Sequence, residues 1–199
     1  MSRTTSPKAA WSVVALAVLC AEVSFSGIYL LGIWPGLPLL VPMYGAGVLL
    51  VRELAVRAGS GWAGIAVLGV AYEVAEDGFG LQALTSPTLY SAAEWGPRVL
   101  GFNLTYWQSQ IGYHLAFSVL IPIVLTELIF RRHGRRPYLG RGGLVVAAGA
   151  FVAGIVAVRL TISGFEDPGY QTPWPAAVAQ AVLIVALGIL AVVVIPRLR

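Results

Sequence analysis

Ala71-Tyr72-Glu73-Val74-Ala75-Glu76-Asp77-Gly78-Phe79-Gly80 sets three carboxylates in the middle of an otherwise apolar run from Trp62 to Leu84. The run is long enough for a membrane-spanning helix, and an ionised carboxylate in hydrocarbon costs at least about 2.5–3.5 kcal/mol. Glu73, Glu76 and Asp77 stand at i, i+3 and i+4, on one face of a helix and one turn apart. Lipid cannot accept that face. It must look into a protein interior, a partner helix or a wet cavity.

The rest of the chain agrees that this is a membrane protein. Its 199 residues are 58% hydrophobic and only 11% charged, with mean hydropathy +0.81. A soluble domain carries about 25% charged residues, so this chain has too little polar surface to cover itself in water. The net charge of +4 would suggest nucleic acid in a soluble protein. Here the basic residues sit in short connections and report topology instead, so no nucleic-acid partner is expected. The single Cys20 lies in the first apolar run, which leaves no disulfide framework and no cysteine metal site to expect.

Working outward, the sequence predicts an all-α polytopic bundle of six transmembrane helices in one domain over residues 11–196. A leader at 1–10 and a tail at 197–199 flank it. The expected spans are 11–34, 39–57, 62–84, 102–130, 143–162 and 176–195, with 102–130 longer than the roughly 30 Å hydrocarbon layer needs and so expected to tilt, kink or begin along the interface. Arg and Lys concentrate in the leader, at the second-to-third helix turn, in the 131–136 cluster and in the tail. By the positive-inside rule both termini are expected in the cytoplasm of a cell-membrane protein, with the loops at 85–101 and 164–175 outside. The lipid bilayer is the expected partner, and the oligomeric state stays open.

Depth along the helices, at about 1.5 Å per residue, brings several polar groups to one layer. Glu76 and Asp77 fall in the outer half of the third helix, Glu73 deeper, Glu22 near the middle of the first and His114 near the middle of the fourth. The fourth helix carries a seam of Asn103, Trp107, Gln110, His114 and Ser118 at helical spacing. Pro122 lacks an N–H, so it frees a carbonyl one turn below His114. The candidate site is therefore Glu76, Asp77 and His114, supported by Glu73, Glu22, Gln110 and Ser118. A combined site requires His114 within one water bridge of Glu76 or Asp77.

Bland roles stand beside these. The acids could pair structurally with His114, Gln110 or an arginine, and His114 could serve as interhelical glue. Glu127 reads as an ion pair beside the Arg131–Arg136 cluster, and Arg52, Glu53 and Arg57 as the interfacial end of the second helix. Arg159 could snorkel to the boundary or neutralise Glu76 or Asp77. The glycines of helices three, five and six read as close-packing positions.

Crowded carboxylates in a low dielectric can divide into a general acid and a general base. Such a pair with one His could activate water, protonate an alkene, relay protons or hold a cation. A metal on Glu76, Asp77 and His114 is conceivable, but one His and no usable Cys argue against zinc, and cofactor identity stays open.

The run Glu76-Asp77-Gly78-Phe79, followed by His114 and Ser118, resembles the CAAX-processing and bacteriocin-processing (CPBP) intramembrane proteases. Asp77 stands where that family has a second Glu, and Gln110 takes its aromatic position four residues before the His. The resemblance implies hydrolysis of a membrane peptide or lipidic substrate, with Glu76 and Asp77 activating water and His114 stabilising an oxyanion. Ala71-Tyr72-Glu73 is similar to a segment of small membrane-bound terpene cyclases, which implies isoprenoid cyclisation with Glu73 as proton donor. Aromatics including Phe25, Tyr29, Tyr72, Phe79, Trp107, Tyr113 and Phe117 would then shield a carbocation. Glu76-Asp77-Gly78, His114, Pro122-Ile123 and Glu127-Leu128 together resemble uncharacterised prokaryotic multipass proteins, which implies no activity. The expectation is an intramembrane acid–base enzyme, with cyclase and non-enzymatic carrier or binding protein as alternatives.

Overall fold

The computed structural model describes residues 5–24 and 36–198. The fold is all-α, and six helices run through the described residues. Helix α1 is Pro7–Val18 prolonged by Leu19–Val23, and α2 is Leu37–Ala58. Helix α3 is Gly61–Ala75 prolonged by Glu76–Gly80. Helices α4, α5 and α6 are Leu104–Ile129, Arg141–Glu166 and Trp174–Arg197. Four of these, α2, α4, α5 and α6, are long and apolar enough to cross a membrane. Helix α3 carries the three carboxylates. The later part of the 11–34 run, with Phe25, Tyr29 and Trp34, lies outside the described residues.

Local chemistry sets the helix ends. Ser6 accepts the Ala9 N–H at 3.4 Å and Pro7 occupies the first turn, a standard pairing of cap and pre-set φ. Helix α3 ends at Gly80 rather than running to Leu84, because Gln82 takes φ 63° and turns the chain. Phe102–Asn103 pairs with Arg98–Val99 as a two-residue antiparallel ribbon before α4 starts. Helices α5 and α6 extend beyond the apolar stretches at both ends.

Helices α2 and α3 form the centre. Helix α3 packs on α2, α4 and α6, while α2 also receives α1 and α5. Helix α2 is mostly buried, whereas α5 and α6 are mostly exposed. The outward faces of α5 and α6 are apolar, with Val145, Val152 and Val182 at 72%, 61% and 62% exposed, a surface suited to lipid. Close approach of α5 to α2 explains Gly154, where a Cβ would lie 2.5 Å from the Met43 backbone nitrogen. Gly149 and Gly188, by contrast, face open space, so the close-packing role does not extend to every helical glycine.

Each helix contains one wide, π-type turn: Leu19–Val23, Val41–Ala46, Glu76–Gly80, His114–Leu120, Arg159–Ser163 and Leu190–Val194. The turn in α2 contains Pro42 and that in α4 precedes Pro122, where a missing N–H removes a helical bond.

The two ends of the bundle are locked differently. At the end carrying the arginine cluster, Arg52 and Glu53 are fully buried within the protein. Glu53 accepts from Tyr138 N at 2.6 Å, Leu139 N at 3.3 Å, Arg52 at 3.3 Å and Arg57 at 3.0 Å. Arg52 also bonds the Arg136 carbonyl at 3.2 Å, meets Glu127 at 3.4 Å and lies 3.3 Å under the Tyr138 ring. Glu127 thus pairs with a buried arginine, and reaches Arg135 of the cluster only at 3.9 Å. Burial pushes the Tyr138 phenol up, and the adjacent Arg52 guanidinium partly opposes it.

At the opposite end the two long loops are stitched together. Gln82 donates to the Tyr170 carbonyl at 3.0 Å and accepts from Thr172 N at 2.8 Å. Asp167 accepts from Ser86 and from Thr88, the latter at 2.8 Å. Arg159 does not pair with Glu76 or Asp77. It bonds Ser163 Oγ and the Tyr170 carbonyl, both at 2.9 Å.

Candidate functional site

Glu76 and Asp77 open the wide turn that ends α3, and both are buried. Glu22, Tyr44 and His114 also stand in the wide turns of α1, α2 and α4. Such turns break the even spiral of side chains and recur at functional sites. Here four of them aim ionisable or phenolic side chains at one cavity of about 260 Å³. Its walls include Glu22, Tyr44, Glu76, Asp77, Gln110 and His114, and the 81–103 connection adds Tyr90 and Trp95 at the end opposite the arginine cluster.

The contact at its floor is specific. His114 Nδ1 lies 3.4 Å from Glu76 Oε2 and 3.0 Å from Ser118 Oγ. Tyr113 packs edge-on against the His114 ring at 5.1 Å, and its hydroxyl donates to the Ala21 carbonyl. Tyr44 stacks on the same ring at 6.1 Å, and the Tyr44 and Tyr72 phenols lie against Glu76. Neither oxygen of Asp77 has a hydrogen-bond partner, although the residue is only 1% exposed. Burial and the charge of Asp77 push the Tyr90 phenol, in the connecting loop, up to about 12.

The remaining expected residues divide. Gln110 lines the cavity, whereas Ser118 acts behind His114. Glu73 is buried away from it and accepts from Trp107 Nε1 at 3.0 Å. Asn103 leaves the seam of α4 altogether: its amide donates to the Ala83 and Ser86 carbonyls, each at 2.7 Å, and holds the loop. Among the described residues no three His, Cys, Asp or Glu side chains are grouped to hold a metal ion.

Several residues at or near the cavity, Tyr90 and Trp95 among them, were not singled out from the sequence for the site. Tyr44 and Tyr106 form walls, and aromatic residues in apolar helices are too common to signal that role. Gln180 carried a signal, as a lone amide within α6. It is 2% exposed with neither amide atom paired, and it approaches α3 so closely that a Cβ on Gly78 would sit 2.3 Å from its Oε1.

A helical bundle with exposed apolar flanks, four helices long enough to cross a membrane and a polar cavity among its described residues defines an integral membrane protein. The chain belongs to a family described as an uncharacterized membrane protein family, whose model matches residues 13–197. No curated protein and no solved structure matches it.

Proposed function

We propose that the cavity is an intramembrane acid–base site that hydrolyses a peptide or lipidic carbonyl substrate. The observation that carries this reading is the Glu76–His114 contact of 3.4 Å inside a cavity that also holds Asp77. Glu76 takes a proton from water as the hydroxide attacks the carbonyl carbon. His114, whose Nδ1 faces Glu76 Oε2 and Ser118 Oγ, stabilises the developing oxyanion. The C–N or C–O bond then breaks, and the proton held by Glu76 passes to the leaving nitrogen or oxygen, with Asp77 ordering the water. Cyclisation is less well supported. It needs Glu73 as acid, and Glu73 is bonded to Trp107 off the cavity. The arginine-rich end faces the cytoplasm of a cell membrane on this reading, and the cavity opens outward.

The test uses the full chain in liposomes with a set of quenched-fluorescent transmembrane peptides in ¹⁸O-water. Cleavage should place ¹⁸O in the new terminal carboxylate. Glu76→Gln and His114→Ala should lower the rate by at least about 10²-fold at unchanged folded yield, the scale of a lost general acid–base group. Cleavage that survives both substitutions overturns the proposal, and a wild-type protein that leaves every peptide intact overturns its peptide form.

A further inference from the structure

Charge balance in the cavity is incomplete. Glu22, Glu76 and Asp77 line it, and among the described residues its walls include no lysine or arginine. The two arginines at this end of the bundle are committed to neutral oxygens: Arg98 to the Thr85 and Gly101 carbonyls at 2.7 and 2.9 Å, and Arg159 to Ser163 and Tyr170. Asp77, aimed into the cavity with both oxygens unpaired, is the clearest sign that a donor from outside belongs there.

The other walls say what kind of donor. Tyr44, Tyr90, Trp95, Tyr106 and Tyr113 contribute five aromatic rings, and Trp95 and Tyr106 meet edge to face at 5.2 Å. Aromatic faces beside carboxylates attract organic cations, whose diffuse charge is weakly hydrated. A hard metal ion would instead want converging oxygen ligands, and the described residues group no such set. At about 260 Å³ the space is smaller than a drug-sized pocket and suits a small head group.

We infer that the cavity is a receptor for an organic ammonium group, with Glu22 and Asp77 supplying the charge and the tyrosines and Trp95 the box. On the hydrolytic reading, on which this last step rests, the ammonium belongs to the substrate and sits beside the bond that Glu76 and His114 attack. Ammonium binding itself needs no turnover, so the two readings can fail separately.

Equilibrium dialysis of radiolabelled tetramethylammonium against the full chain in a neutral maltoside detergent tests it. Saturable binding at one site per chain is expected, with displacement by choline and none by its neutral isostere 3,3-dimethylbutan-1-ol. Asp77→Asn should weaken binding at least tenfold and Glu22→Gln, at a half-buried position, several-fold. Trp95→Leu should weaken it at least threefold, whereas Trp95→Phe, which keeps a ring, should change it less than twofold. Should Asp77→Asn fail to fold, Glu22→Gln and the two Trp95 variants decide. Absence of saturable binding, equal displacement by the neutral isostere or by sodium, or indifference to the Glu22 and Trp95 substitutions overturns the inference.

Discussion

Replacing Glu53 by alanine should be among the most damaging single changes in this chain. Glu53 is fully buried and accepts four bonds, from two backbone N–H groups of the 138–139 segment and from Arg52 and Arg57. Hydrogen bonds to a charged group contribute about 1.5–3 kcal/mol each, but they are not additive here. Arg57 is 20% exposed and can turn to water, and Arg52 keeps Glu127 and the Arg136 carbonyl. The buried pairing of Arg52 with Glu53 cannot be recovered, and breaking such a pair costs about 3–5 kcal/mol. For a domain of this length each kcal/mol moves Tm by about 2–4 °C, so a fall of roughly 6–20 °C is expected. Glu53→Gln retains one acceptor oxygen, but its amide confronts a backbone N–H, and its loss should be smaller. Thermal unfolding of the purified protein in detergent measures the shift. Trypsin should also cut sooner within residues 131–136, because Glu53 and Arg57 clasp the adjoining Tyr138 and Leu139 backbone. A shift under about 1 kcal/mol, or unchanged trypsin protection, would refute the view that this clasp holds the end of the bundle.

Two further outcomes rest on the geometry. Gly154→Ala drives a methyl to 2.5 Å from the Met43 nitrogen and should destabilise by about 1–3 kcal/mol. Gly149→Ala on the same helix meets nothing and should be neutral or stabilising, so equal effects in thermal unfolding would discredit the packing of α5 on α2. In a Cys20→Ser background, a membrane-impermeant maleimide should label Glu94→Cys on intact cells and Arg132→Cys only after lysis. The reverse pattern would invert the proposed orientation.

Much of this was already legible in the residue pattern. Apolar runs of spanning length and scarce charge mark a membrane protein, because lipid tolerates nothing else. The i, i+3, i+4 spacing of Glu73, Glu76 and Asp77, with the seam through Trp107, Gln110 and His114, shows which faces of α3 and α4 turn inward. The CPBP resemblance gave those faces a candidate chemistry, which the family match neither adds to nor removes.

Tertiary structure alone decided which of these groups meet. Glu73 and Glu76 are one turn apart on the same face, yet one meets Trp107 and the other His114, since a wide turn starts at Glu76 and re-aims the side chains from there on. Wide turns depend on how neighbouring helices satisfy loosened backbone groups, and the sequence carries no local sign of them beyond Pro42 and Pro122. The same holds for Arg52 and Glu53. Their burial is not legible from their own stretch, because the 136–139 segment that covers them lies some eighty residues away. So the sequence determined that three acids must be sheltered. Only the packing of α1 to α4 decided that two of them, with Glu22 and His114, share one aromatic-walled cavity.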